Sequence, residues 1–205
     1  MADELSIQQI AIDISMCRKC DEDNISVTHT QPMERGKGSD VFVIGIEPGK
    51  SEIEKAEAFV GPAGKRLMEW LVNAGLGSNR EEILEKCYLT SLCKCNIKRS
   101  SDKYKAFQNC YVFLERQVNL LKPKICLTLG NEPLEVLFNF TGGLDDVVGK
   151  VFSEVDFGET FFPLFGNDCK IIPLPHPSPL SRWLNSERNK ELLEQAIEKL
   201  ESVKQ

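Results

Sequence analysis

VFVIGIEPG, residues 41–49, is the stretch whose reading decides the fold. Val41 to Ile44 form an unbroken apolar run, without the alternation of a half-exposed strand. Closed by Gly45, Pro48 and Gly49, the run predicts a strand buried on both faces that enters a shaped turn. Strands of this kind belong to parallel sheets, whose neighbours return through long crossovers, usually helices.

The flanking sequence supplies those crossovers. After Phe59, Val60 and Gly61 comes a helical pattern with Pro62 early, Leu67, Trp70, Leu71 and Ala74 on one face, and a stop near Gly75. Cys87–Leu92 reads as a second strand, followed by a basic loop and a helix from about Ala106 to Leu121. Ile125–Leu129 is a third strand, Glu132–Phe138 a helix and Ile171–Leu174 a fourth strand, before a C-terminal helix over Ser186–Val203. Ahead of the first strand, Leu5, Ile7, Ile10, Ala11 and Ile14 give Glu4–Ser15 a helical stripe that ends at Cys17. Val151–Val155 with Thr160–Leu164 predicts a hairpin at the sheet edge. The alternation implies an α/β fold: one domain over residues 1–205, with a central, mostly parallel four-stranded sheet flanked by helices. Ligands of open α/β sheets collect at the carboxyl ends of strands, which here means Gly45–Gly49, Ser91–Lys94 and the turn at His176.

Composition narrows the function. The 205 residues are 41% hydrophobic, enough for one full core, and the net charge of −6 gives no overall attraction to nucleic acid. The segment MADELSIQQIAIDIS has no secretory pattern, and no apolar run approaches the roughly 18 residues of a membrane span, so a cytoplasmic protein without a membrane partner is expected. Eight cysteines in such a compartment point to ligation rather than disulfides. Cys17 and Cys20 form a C-x-x-C, while Cys95 and Cys110 bracket the basic loop. Four thiolates suit either a [4Fe–4S] cluster or zinc, and spacing does not choose between them. Cys87, Cys93, Cys126 and Cys169 lie in or beside strand-like runs and read as small buried apolar groups.

Five segments in order, CRKC at 17–20, GIEPG at 45–49 with FVGPAGKRL at 59–67, YLTSLCKC at 88–95, KPKICLTLG at 122–130 and PHPSPLSR at 175–182, resemble the uracil-DNA glycosylase superfamily, most closely its iron–sulfur branch, family 4. The resemblance implies a [4Fe–4S] cluster on Cys17, Cys20, Cys95 and Cys110. It also implies a monofunctional DNA glycosylase that flips a base from the helix and hydrolyses its glycosidic bond, leaving an abasic site. The transition state places positive charge on the sugar and negative charge on the departing base. By resemblance, His176 donates to the base oxygen, Phe59 stacks on the flipped base, and Leu180 wedges into the vacated helix beside Arg182 and Trp183, with Ser178 and Ser181 on the phosphates.

The chain departs from the family at two places. Family 4 usually reads GEAPG, so its acid is replaced by Ile46. Glu47 falls on the next position, that of the aspartate in the GQDPY motif of family 1, and is the expected catalytic carboxylate. Ser91 in YLTS stands where uracil-selective members carry asparagine, so Ile46, Phe59 and Ser91 would form a differently selective base pocket. A substituted cytosine, hydroxymethylated or glucosylated as in some phage genomes, is the expected substrate, in antiviral defence. Uracil excision in base excision repair is the alternative. Lys94, Lys98 and Arg99, with Lys103 and Lys105, are the expected phosphate contacts of a monomer acting on DNA. No lysine occupies an obvious nucleophile position. A non-catalytic iron–sulfur DNA-binding protein and a zinc-stabilised nucleoside hydrolase are the competing classes.

Overall fold

Strand β2 (Val41–Gly45) lies at the centre of the molecule because every one of its residues is buried, the outcome expected of an unalternating apolar run. In chain order the helices and strands are α1 (Ala2–Met16), α2 (Lys19–Glu22), β1 (Val27–Thr28), β2, α3 (Lys50–Lys55), α4 (Pro62–Asn73), α5 (Arg80–Lys86), β3 (Cys87–Ser91), β4 (Asn96–Ile97), α6 (Lys103–Leu121), β5 (Ile125–Leu129), α7 (Asn131–Phe138), α8 (Leu144–Val147), β6 (Lys170–Leu174) and α9 (Glu187–Val203). The structure is a computed structural model and describes residues 2–33, 35–158 and 163–203. No helix among the described residues is long and apolar enough to cross a membrane.

The main sheet has the order β3-β2-β5-β6, parallel throughout, while β1 and β4 form a separate two-stranded antiparallel ribbon. Side chains alternate between two cores, as strand geometry requires. Val41, Val43, Leu89, Leu127 and Ile172 face α4, α5 and α9 through Leu67, Leu71, Ile83 and Leu200. Phe42, Ile44, Tyr88, Cys126 and Ile171 face α6 and α7 through Phe107, Leu114, Leu134 and Phe138. Each large side chain fully buried in this way stabilises the fold by about 1.5–3 kcal/mol. Helix α1 packs on α6 through Ile10, Ile14 and Phe113, which brings Cys17 and Cys20 to the other cysteine segment.

The hairpin expected over 151–164 does not form in its first half. Val151–Val155 contributes one antiparallel bridge, Phe152 to Ile171, and then a 3₁₀ turn at Glu154–Phe157. Carboxylates take the place of a strand ladder. Asp156 accepts from the Ser153 N–H and hydroxyl at 2.6 and 2.8 Å, and Glu154 accepts from the N–H groups of Leu164, Phe165 and Gly166. The expected second strand, Thr160–Leu164, lies partly outside the described residues. Four helices among the described residues went unanticipated: the single-turn α2 and α8, α3 immediately after the first turn, and α5, whose N-cap Asn79 accepts from the Glu82 N–H at 2.9 Å.

Gly130, just after β5, links fold to site. Its backbone, at φ +87° and ψ −176°, occupies a region open almost only to glycine, and a Cβ there would lie 3.3 Å from the Cβ of His176. Gly130→Ala is expected to cost about 1–3 kcal/mol and lower the melting temperature by several degrees. Thermal unfolding followed by circular dichroism checks this; an unchanged melting temperature would show that the turn relaxes freely.

Candidate active site

A cavity of about 150 Å³ opens at the carboxyl edge of the main sheet, where Ile46, Glu47, Phe59, Ser91 and His176 meet. Empty apolar cavities of this size admit a single six-membered ring. The five residues come from four distant parts of the sequence.

His176 follows β6 and is half-buried, and its Nδ1 accepts the backbone N–H of Ser178 at 3.2 Å. A backbone amide only donates, so the proton of the neutral ring sits on Nε2. Burial lowers the imidazole pKa below its usual value, and Lys103 lowers it further against the opposing pull of Glu132. The ring is therefore a neutral donor near pH 7.

Phe59 has φ +53°, a left-handed conformation uncommon for a bulky residue. Several contacts hold it there. Arg80 donates to the carbonyls of Phe59 and Ala58 at 3.2 and 2.5 Å while its Nε reaches Glu57 at 2.7 Å. Glu52 Oε1 accepts from the next two amides, Val60 and Gly61, at 3.0 and 2.8 Å. Gly64 lets α4 approach so closely that a Cβ would lie 1.9 Å from the Phe59 carbonyl oxygen, and Gly45 leaves room for the ring edge. Neither Glu52 nor Arg80 stood out in the sequence: no motif surrounds them, and most of their partners are backbone groups.

Glu47 is brought to the cavity with its carboxylate mostly buried. Its Oε2 accepts the Ile97 N–H at 2.8 Å, and Oε1 is 3.5 Å from Lys103 Nζ. Two carboxylate oxygens offer about four acceptor sites, so capacity remains for a water. Ser91 is buried and donates its hydroxyl proton to the Cys93 carbonyl at 2.8 Å, so it meets a ligand as an acceptor.

Lys94 is corrected by the structure. It is 1% exposed, and its Nζ donates to Thr90 Oγ1, the Ser91 carbonyl and Gln117 Oε1, at 2.9, 2.6 and 3.1 Å. It points beneath the cavity and does not present a charge to a phosphate. Burial, reinforced by the nearby Arg35, brings its pKa down to about 7. Lys98 and Arg99 are exposed, with Lys98 bonded to Asn96 and Arg99 paired to Asp102. On the His176 loop, Ser178 and Ser181 are partly exposed, Arg182 is exposed, and the Leu180 side chain projects 90% exposed from a turn closed by the Ser181 N–H on the Ser178 carbonyl. Trp183 stands apart from that tip, donating to Asp145 at 2.5 Å.

The cysteine segments also converge. Burial raises the thiol pKa of Cys20, Cys95 and Cys110, the last to about 11, and the charges of neighbouring cysteines add to each. The Lys94 N–H lies 3.3 Å from Cys110 Sγ, Asn109 Nδ2 3.9 Å from Cys20 Sγ, and His29 Nδ1 3.7 Å from Cys95 Sγ. His29, unremarkable in sequence, is thus a neighbour of this group. Among the described residues no three His, Cys, Asp or Glu side chains form a site for a single metal ion. Four thiols near enough to act on one another's titration are a donor set chemically suited to a [4Fe–4S] cluster or to zinc. Cys87, Cys93, Cys126 and Cys169 are buried, as expected of apolar thiols.

The family model of the uracil DNA glycosylase superfamily matches residues 33–201. Among curated proteins, the chain is 32% identical over 179 residues to a type-4 uracil-DNA glycosylase of Archaeoglobus fulgidus, covering 84% of this chain and 82% of the relative. It is 28% identical over 174 residues to that of Saccharolobus solfataricus, covering 84% and 76%, and 30% identical over 165 residues to that of Thermotoga maritima, covering 79% and 76%.

Two expectations follow from the geometry. His176 has a lower pKa folded than unfolded, where it is about 6.5. The unfolded state then binds more protons below that value, so the ring's contribution to stability is present above about pH 6.5 and is lost as the pH falls further. Turnover that depends on the neutral ring should lose nothing to His176 between pH 8 and about 6.5; a decline within that range in a pH–rate profile that persists in Lys94→Met, which removes the other group titrating near pH 7, would contradict the assignment. Arg80→Met should release the Phe59 carbonyl, raising KM more than it lowers kcat and costing about 1–3 kcal/mol of stability, read from steady-state kinetics and urea unfolding.

Proposed function

This chain belongs to the uracil DNA glycosylase superfamily, and from that membership we propose the substrate and mechanism of its cleft. It is a DNA glycosylase, a hydrolase of the bond between base and deoxyribose. The observation that carries the mechanism is the Ser178 N–H on His176 Nδ1, which fixes the ring's other proton on Nε2. A base flipped into the cavity stacks on Phe59, and Nε2–H donates to its O2 as negative charge develops there. A neutral, pre-set donor needs no reorganisation during the reaction. Glu47, anchored by Ile97, faces the sugar, where it orients water and offsets the positive charge.

Leu180, at the exposed tip of the His176 loop, fills the vacated stack, and Ser178, Ser181 and Arg182 hold the phosphates beside it. Lys98 and Arg99 extend that contact in place of the buried Lys94. Cys17, Cys20, Cys95 and Cys110 hold a [4Fe–4S] cluster, which supplies a structural clamp between the end of α1 and the segment leading into α6. Its binding stabilises the fold because the unfolded chain has no preformed site.

The substrate is a modified pyrimidine. Ser91 is shorter than an amide side chain and leaves room at the pyrimidine edge for the hydroxymethyl group of a substituted cytosine, whose amino N–H would donate to the Ser91 oxygen. A glucosyl group exceeds a cavity of about 150 Å³ and would project through its mouth. Uracil is the second reading, favoured by the names of the relatives and by the same Ser91 acceptor, which also suits the uracil N3–H.

Base release measured by mass spectrometry, from DNAs carrying uracil, mismatched thymine, hydroxymethylcytosine or its glucosylated form, tests these readings. Release of a substituted cytosine, reduced about 10²-fold or more by Glu47→Gln, is expected and would point to defence against modified phage DNA. Ser91→Asn should shift preference toward uracil. Release of uracil alone by the wild type would replace the first reading with the second, and undiminished release by Glu47→Gln would remove Glu47 from the mechanism.

A further inference from the structure

We infer that Arg35 reads the ligand in this cavity, and that it selects a pyrimidine presenting an oxygen acceptor to its guanidinium. The inference rests on the cleft being a base pocket. Arg35 is 5% exposed and lines the cavity together with Ser91 and Phe59, and among the described residues its buried Nε has no hydrogen-bond partner. A guanidinium only donates, so the missing partner is an acceptor. A buried donor without one is costly, and native proteins seldom leave such groups unmatched without a functional reason.

The electrostatic surroundings do not supply the partner. The charged or ionisable groups acting on Arg35 are Tyr88 on β3, Cys95 and Cys110 in the cysteine group, and the cation of Lys94, which repels it. Among the described residues no carboxylate joins them. The hydroxyl of Tyr88 already accepts from Gln117 at 3.0 Å.

The backbone that carries Arg35 is fixed before any ligand arrives. Its carbonyl accepts the Leu89 N–H at 2.6 Å, so the segment runs along β3, the edge strand of the main sheet. Lys37 and Gly38 both donate to the Leu84 carbonyl, at 2.8 and 3.2 Å. At Gly36 and Gly38 an added Cβ would fall 2.1 and 1.9 Å from backbone atoms of Cys87 and Lys86. The backbone from which the guanidinium extends is thus a tightly packed strap, which favours selectivity by limiting reorganisation.

Arg35 and Ser91 thus divide the edge of the base between them, the arginine donating and the serine accepting. The oxygen has two sources: the 4-carbonyl of uracil-like bases, or an oxygen on the 5-substituent of a modified cytosine. Both satisfy the same donor. Cytosine itself, with an amino group at position 4 and hydrogen at position 5, offers neither.

The test is equilibrium binding of oligonucleotides in which one nucleotide carries a 2′-fluoro group, which disfavours positive charge on the sugar and blocks hydrolysis, so that recognition is read without turnover. The bases are cytosine, 5-methylcytosine, 5-hydroxymethylcytosine, uracil and pyrimidin-2-one, which lacks the 4-oxygen. Wild type should prefer at least one oxygen-bearing base over its counterpart by about ten- to a hundredfold. Preference for hydroxymethylcytosine over methylcytosine would identify the 5-substituent, and preference for uracil over pyrimidin-2-one the 4-carbonyl. Arg35→Met should abolish that preference, and Arg35→Lys should restore part of it. Equal binding of all bases by the wild type, or an unaltered preference in Arg35→Met, would overturn the inference. Iron content and the visible absorbance of each variant separate base reading from a role as countercharge to the cysteine group: lost iron with preserved preference also overturns it. Failure of the glycosylase reading appears elsewhere, as absence of base release from ordinary DNA by the wild type, and leaves the binding comparison intact.

Discussion

Because Val41–Gly45 pairs in parallel with both Cys87–Ser91 and Ile125–Leu129, three segments far apart in sequence end at the same edge of the sheet. The register is one that burial enforces. Slipping β2 by one residue would exchange Phe42 and Ile44 with Val41 and Val43 between two filled cores. Gly45 is therefore fixed beside Ser91, and the turn carrying Glu47 beside the segment carrying Lys94 and Cys95. Strand β6, paired to β5, then delivers His176 to the same edge. The chemistry of the cleft depends on side chains that the core has already aligned.

Rigidity recurs around the cavity through different devices. At Phe59 it comes from a strained backbone over-determined by Arg80, Glu52 and Gly64. At His176 it comes from a proline-flanked turn, a backbone donor on Nδ1 and a glycine, Gly130, in a conformation closed to other residues. Strain of this kind persists only where surrounding contacts outweigh it. Its concentration around one small cavity agrees with the proposed roles, since a stacking platform and a donor both lose effectiveness if they must reorganise with each turnover.

The main-sheet strands were legible in the sequence because their burial on both faces left runs too apolar to be anything else, and four of the five segments that carry the family resemblance reach their carboxyl ends, while CRKC follows α1. What stayed hidden has a common physical cause. Arg80 and Glu52 act on backbone carbonyls and amides, and Glu154 replaces an expected strand by gathering three amides; such partners have no side-chain signature. Lys94 misled for the converse reason. Its neighbours Lys98 and Arg99 make a basic tract, but it sits one turn past a strand that points it inward, where Thr90 and Gln117 receive it. Composition identifies a charge and not the side of the chain on which it lies.

That inward turn changes how the charge of the protein should be understood. The chain as a whole is acidic, with a net charge of −6, yet two cations, Arg35 and Lys94, are buried at or beneath the cavity, and Lys103 stands beside Glu47 and His176. Buried cations are costly unless matched, and among the described residues no carboxylate acts appreciably on either Arg35 or Lys94. Two kinds of negative charge can meet them: on one side the thiolates that cluster ligation would leave on the cysteines, and on the other, in the proposed reaction, a base leaving with the electrons of its glycosidic bond. An acidic exterior and a cationic interior are then compatible. On the proposed mechanism the exterior has no need to hold DNA by bulk attraction, because the positive potential lies where the reaction would generate an anion.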